Sequence, residues 1–223
     1  MQQQALQYLA SSSDLPGQEF KLPIFFTFLY FKGYVVANHV DNFLVIDSKV
    51  PAAIEAFNKV FSLIEEHGAS GLEYSHFLPS WDEEYPTRDY MEETIGAKWA
   101  YVEEAGDDYV VATSAWCSIL PYVKQLGLFL SEFDPDISIS CRYIDECYNF
   151  SGMIVYHKET IDYEEESKSW FVEKRCEELG IETDDWDEFE DDMFLDEYVI
   201  THLDEWGKGL KESIIECSLD WDS

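Results

Sequence analysis

The sequence predicts an α+β fold: a ferredoxin-like split βαβ antiparallel sheet with two helices on one face, plus an acidic C-terminal helical extension. Three observations carry this expectation. Two strand–helix–strand segments follow one another, their helices show matching apolar stripes at steps of four and three, and the composition changes after Tyr163.

The first strand is read from His39 to Asp47, where alternation gives way to the β-branched and aromatic run FLVI. In the helix that follows, Val50, Ile54, Phe57, Phe61 and Ile64 share one face. Pro51 suits its first turn and Gly68 its end. A second strand is expected around Leu72 to Leu78, then a short helix near Asp89 to Ile95 and an added strand near Trp99 to Glu103.

The plan then repeats. Tyr109 to Trp116 reads as a strand, Ser118 as the cap of the next helix, and Ile119, Val123, Leu126, Leu130 and Phe133 as its apolar stripe. Asp134 and Pro135 end it, and ISISCRYI returns as a strand. That strand is expected to pair with Gly152 to His157 across a turn near Tyr148 to Ser151, giving five or six strands. After Tyr163, a helix carrying Trp170, Phe171 or Val172, Cys176 and Leu179 stops at Gly180. A longer helix follows with a stripe through Leu195, Val199, Leu203, Trp206, Leu210 and Ile214, weakened at Gly207 and Gly209. The boundaries are therefore 1–35 for an N-terminal arm or mis-annotated start, 36–162 for the sheet domain and 163–223 for the acidic extension.

The run LPIFFTFLYFKGYVVA is broken by Lys32, well short of the ~18 residues of a membrane helix, and no basic region precedes it. Lys32 and Gly33 are encoded by AAR-GGN, which contains AAGG of a bacterial ribosome-binding site, with Val36 or Val35 suitably placed as a GTG start. If the first 35 residues are native, they read as a weakly structured arm. Five widely spaced cysteines, an odd number, favour reduced thiols and a cytoplasmic setting in the host cell.

The order VANHVDNFLVI, helix, LEYSHFLPS, ETIGAKWA, the strand ending SAW and the RYIDE hairpin resembles the ferredoxin-like "Api" family of phage and conjugative-plasmid accessory proteins, a domain of unknown function. The resemblance spans about Val36 to Lys158. In that family a motif like ANHV directly follows the initiator, in keeping with a start at Val36. The resemblance implies the fold and a mobile-element context, and no catalytic residues. Family members commonly carry WG where this chain has Ile95 and Gly96, and the acidic extension is foreign to the pattern.

Enzymatic signals are weak. His39, His67, His76, His157 and His202 form no paired ligand motif, and GxGxxG, Walker and GxSxG patterns are absent. No catalytic residue, cofactor or metal is therefore expected. Two groups of metal-ligand type read first as structural: Cys141 opposite His157 with Cys147 nearby, and Asp134, Asp136, Asp145 and Glu146 flanking one strand.

Charge is the outlier. Asp and Glu number 47 against 14 Lys and Arg, for a net charge of -33. Such a chain repels bare nucleic acid and anionic membranes and suits basic partners. Residues 163–223 hold 22 acids and 5 Lys or Arg, and Glu182 to Glu205 holds 12 acids and no Lys or Arg. If wholly helical, Glu182 to Glu205 spans about 36 Å, over which one DNA strand presents about 10 or 11 phosphates. The expectation is a nucleic-acid mimic acting as an anti-defence inhibitor on a basic host protein such as a nuclease or the CRISPR, restriction or recombination machinery. Its partner-binding residues would be Glu182, Asp184, Asp185, Asp187, Glu188, Glu190, Asp191, Asp192, Asp196 and Glu197. Trp186, Phe189, Phe194, Tyr198 and Trp206 would anchor contacts or pack inward. Two alternatives stand beside it: a host-takeover adaptor whose sheet face or aromatic insertion binds a protein while its tail merely solubilises, and a metal-binding enzyme.

Overall fold

A nine-residue strand, β1 (His39–Asp47), sits inside a six-stranded antiparallel sheet. The others are β2 (Ala100–Ala105), β3 (Tyr109–Ala115), β4 (Ser138–Asp145), β5 (Ser151–His157) and β6 (Thr160–Glu166), in the order β2-β3-β1-β4-β5-β6. The computed structural model describes residues 38–66, 70–81, 85–147, 149–186 and 192–220. The expectations for residues 1–35 and for a helix stop at Gly68 lie outside them.

Five α-helices occur among the described residues: α1 (Pro51–Glu66), α2 (Arg88–Thr94), α3 (Leu120–Ser131), α4 (Lys168–Leu179) and α5 (Asp192–Asp220). One apolar core joins Phe57, Val60 and Ile64 of α1 and Val123, Leu126 and Leu130 of α3 to Val40 and Leu44 of β1, Ile139 and Cys141 of β4 and Ile154 and Tyr156 of β5. The side chains between these on β5, Met153 and Val155, belong to a second core with Phe171, Leu195, Val199, Leu203, Leu210 and Ile214. Successive strand residues point to opposite faces. Helices α1 and α3 therefore cover one face, and α5 packs on the other.

The stripe expected on the last helix is the stripe that docks. Gly207 and Gly209 do not interrupt α5. At Gly207 a Cβ would stand 3.3 Å from Cε of Met153, so the missing side chain lets the helix approach β5 closely. Gly127 plays the same part in α3, where a Cβ would run into the ring of Tyr156.

Four local expectations are corrected. Leu72 to Leu78 is no strand. A 3₁₀ turn, Leu72–Tyr74, is followed by Ser75, whose amide and hydroxyl both donate to the Leu72 carbonyl. Leu72, Ser75 and Leu78 are the buried positions, a step of three rather than two. Ser118 does not cap α3. The buried Asn42 of β1 accepts the Ile119 amide at 3.3 Å through Oδ1, while its Nδ2 donates to the Val40 carbonyl and to Ser114 Oγ. The β4–β5 hairpin pairs Ser138 with His157 and Ile144 with Ser151, so Ser151, expected in the turn, is the first residue of β5. Finally, β6 spans the boundary between positions 162 and 163, so the sheet continues past Tyr163, where the acidic extension was expected to begin.

The caps of the later helices follow the sequence. Ser167 accepts the Trp170 amide at the start of α4, and Gly180 closes it at φ 69°, a left-handed conformation natural to glycine.

Replacing Gly127 by Ala should destabilise the protein by about 1–3 kcal/mol through the clash with Tyr156. Gly209→Ala, which meets nothing within 4 Å, should stabilise it by about 0.5–1 kcal/mol through helix propensity. Urea unfolding of the two variants checks the opposite signs.

Candidate binding surfaces

The acid-rich segment does not form one helix. A 3₁₀ turn, Thr183–Asp185, gives way to extended backbone at Trp186 (φ -69°, ψ 120°), which lies outside α5 (Asp192–Asp220). The continuous array expected from Glu182 to Glu205 is thereby broken. Of the expected contact residues, Glu182, Asp184 and Glu197 are exposed. Asp187, Glu188, Glu190 and Asp191 lie outside the described residues, as does Phe189. Asp185, Asp192 and Asp196 are placed by their backbone alone.

What α5 does provide is a second, better-defined row. At 3.6 residues per turn, Glu197, Asp204, Glu205, Glu212 and Glu216 fall within an arc of about 120° opposite the docked stripe. All five are exposed. Their span is about 28 Å, against about eight phosphates on a DNA strand of that length. The row is sparser than the phosphates, and β6 and α4 add exposed Asp162, Glu164, Glu165, Glu177 and Glu178.

Some of these charges are already engaged. Arg142 donates to Asp204 at 3.1 Å, Lys174 to Glu177 at 2.9 Å and Arg175 to Glu178 at 3.1 Å. Glu178 also accepts Tyr198 Oη at 3.0 Å, and burial together with that carboxylate pushes the phenol up to about 12. Lys211 donates to Asp47 at 2.8 Å, holding the Asp47 carboxyl below its ordinary range. With 14 Lys and Arg for 47 acids, one-to-one pairing must leave most carboxylates without a cation. Among the aromatics, Trp186, Tyr198 and Trp206 pack against the second core.

The metal arrangements dissolve in the structure. Cys141 pairs with Ile154 and His157 with Ser138, so they lie three positions out of register and on opposite faces. Cys141 is fully buried, and burial pushes its thiol up. His157 Nδ1 lies 3.2 Å from the Ile137 carbonyl. Asp134 and Asp145 stand at opposite ends of β4. Asp134 bonds Ser48 and the Asp136 amide. Asp145, buried, accepts Asn38 Nδ2 at 2.7 Å and the amides of Cys147 and Asn149 at 3.1 Å. No group of three or more His, Cys, Asp or Glu suited to a metal occurs among the described residues.

A second surface lies on the sheet face, which the adaptor alternative invoked without naming its residues. On β1, β3 and β2 the face that α5 does not cover presents Asp41, Phe43, Tyr109, Tyr101 and Glu103, with Trp99 alongside. Its signal was a period of two, with acids and aromatics alternating against core residues. Two buried polar atoms also lack a partner among the described residues, Glu73 Oε2 and Trp186 Nε1. Desolvation pushes the Glu73 carboxyl up.

No described helix is long and apolar enough to cross a membrane. No family model, curated protein or solved structure matches the chain.

The Lys211–Asp47 pair sets a pH dependence. Because the Asp47 carboxyl is depressed in the fold, its contribution is present above the ordinary value of 3.8 and lost as pH falls through the folded one. Lys211→Met should cost at most about 1 kcal/mol at neutral pH, since the pair is solvent-exposed, and the difference from the parent should vanish in acid. Urea unfolding at a series of pH values measures it.

Proposed function

We propose that the protein acts by binding rather than catalysis, its acidic C-terminal elements standing in for nucleic-acid phosphates before a basic site on a nuclease or other DNA- or RNA-binding protein. The observation that carries the reading is the docking of α5. Its apolar stripe is buried against β5, which holds Glu197, Glu205, Glu212 and Glu216 on a fixed outer row rather than on a loose tail. Carboxylates held in place lose little entropy when they meet a ring of Lys and Arg.

The ferredoxin-like description of the sheet rests on connectivity: β1, α1, β2, β3, α3, β4 with order β2-β3-β1-β4, all antiparallel, to which β5 and β6 are added. The phage or plasmid setting and an anti-defence role rest on the sequence resemblance and its implied context, and the cytoplasmic setting on the odd number of widely spaced cysteines.

Truncation is a poor test, because removal of residues beyond Tyr163 strips part of β6 and the second core. The suitable variant is Glu197→Gln/Glu205→Gln/Glu212→Gln/Glu216→Gln in the full chain. Affinity capture from host cells should recover a basic nucleic-acid-binding protein that duplex DNA or RNA displaces. Its affinity should fall by on the order of tenfold or more in the variant and steeply with added salt. A captured partner that binds the variant equally well, and is indifferent to nucleic acid, overturns the proposal.

A further inference from the structure

We infer that the open half of the second sheet face is a docking surface for an arginine-bearing segment of a partner protein, separate from the acidic helices. On this side α5 lies over β4, β5 and β6. It reaches β1 at the Val45 and Asp47 end, where Lys211 donates to Asp47, and the side chains that matter here lie on the rest of β1 and on β2 and β3. The side chains they present are fixed by register. Val40 and Leu44 of β1, Val110 and Ala112 of β3 and Ala100 of β2 enter the first core, so the residues between them face outward.

Those outward residues combine two kinds of cation recognition. Trp99 and Tyr101 stack with ring centroids 5.4 Å apart at 20°, and Phe43 lies 5.7 Å from Tyr109. On the same face, Asp41 and Glu103 converge on the Thr113 hydroxyl, with Oγ1 3.3 Å from Asp41 Oδ1 and 3.2 Å from Glu103 Oε1. One hydroxyl carries one proton, so it serves one of the two carboxylates at a time. Both acids are exposed, and no salt bridge from Lys or Arg reaches either among the described residues. Two like charges drawn toward one donor gain from a cation placed above them.

A guanidinium fits this arrangement better than an ammonium. Its five N–H groups lie in one plane and can serve both carboxylates, while its flat face stacks on the rings. The sheet already holds one such group at the edge of the open area. Arg142 places Cζ 5.1 Å from the Phe43 ring centroid while Nη1 donates to Asp204. The surrounding net charge of -33 disfavours phosphate as the occupant. Complementary charge and half-buried aromatic rings beside the two exposed acids together commit the surface to an arginine-bearing protein segment.

The test uses full-length protein, with hexa-arginine and hexa-lysine peptides as probes and amide chemical shifts as the readout. Shifts should cluster on β1, β2 and β3, with arginine preferred over lysine by about threefold or more. Asp41→Asn/Glu103→Gln should weaken hexa-arginine binding at the sheet by about tenfold, and the four-residue α5 variant should change it by less than about twofold. Trp99→Leu, which keeps every charge, should abolish the arginine preference. Shifts confined to α4 and α5, an Asp41→Asn/Glu103→Gln variant within about twofold of the parent, or an arginine preference surviving Trp99→Leu would each overturn the inference. Because the α5 variant is a separate arm, its result bears on phosphate mimicry without deciding this surface.

Discussion

The structure depends on one strand buried from both sides. Every residue of β5 is buried, and its alternation divides them between two cores: Ile154 and Tyr156 toward α1 and α3, Met153 and Val155 toward α5. A strand solvated on one side would leave α5 and its carboxylates as an appendage. Two-sided burial instead makes the acidic helix part of the fold, with apolar burial of about 25 cal/mol per Å² holding it against charge repulsion. Close approach is what makes the burial complete. Gly127 gives Tyr156 its room on one face, and Gly207 gives Met153 its room on the other.

Repulsion sets how the remaining surface is arranged. Two of the few cations tie α5 to the sheet. Arg142 reaches from β4 to Asp204, and Lys211 reaches from α5 to Asp47 at the end of β1. Asp204 and Lys211 are seven residues apart, two helical turns, and so lie on the same flank of α5. Pairs this exposed contribute little energy. Their opposite signs still matter for register, because sliding α5 along the sheet would bring Asp204 toward Asp47 and Lys211 toward Arg142. The β6 edge is guarded by the same means. Asp162, Glu164 and Glu165 are exposed along it and oppose pairing with another strand.

Much of this was legible in the sequence because periodicity reports burial. β1, α1 and the α5 stripe were read almost residue for residue, since each has one long apolar face. The strand β6 was missed for the converse reason. TIDYEEE buries almost nothing, and its two-residue turn places Lys158 (φ 48°) and Glu159 (φ 63°) in the left-handed region without the Asn or Gly that normally signals such a hairpin. The 3₁₀ turn after Gly71 was misread because apolar steps of three in so short a segment look like a strand with one irregularity. Asn38 and Asn42, conspicuous in the run VANHVDN, have roles that no local pattern contains. Their partners, Asp145 and Ile119, lie 107 and 77 residues away.

The same distinction explains why the candidate sites were unequally visible. Charge density can be counted along a chain, but which carboxylates share a surface depends on where the helix starts. The break at Trp186 divides the acidic run that looked continuous, whereas Glu197 to Glu216, spaced less densely, becomes a row because one stripe fixes the rotation of α5. The open sheet face was hidden in another way. Asp41 and Glu103 are 62 residues apart, yet both stand within hydrogen-bond reach of Thr113 because β3 lies between their strands. No spacing rule connects them. A surface assembled by strand order emerges only once that order is known, and the two acidic surfaces of this protein therefore arise by different means: one from rotation about a helix axis, the other from adjacency across a sheet.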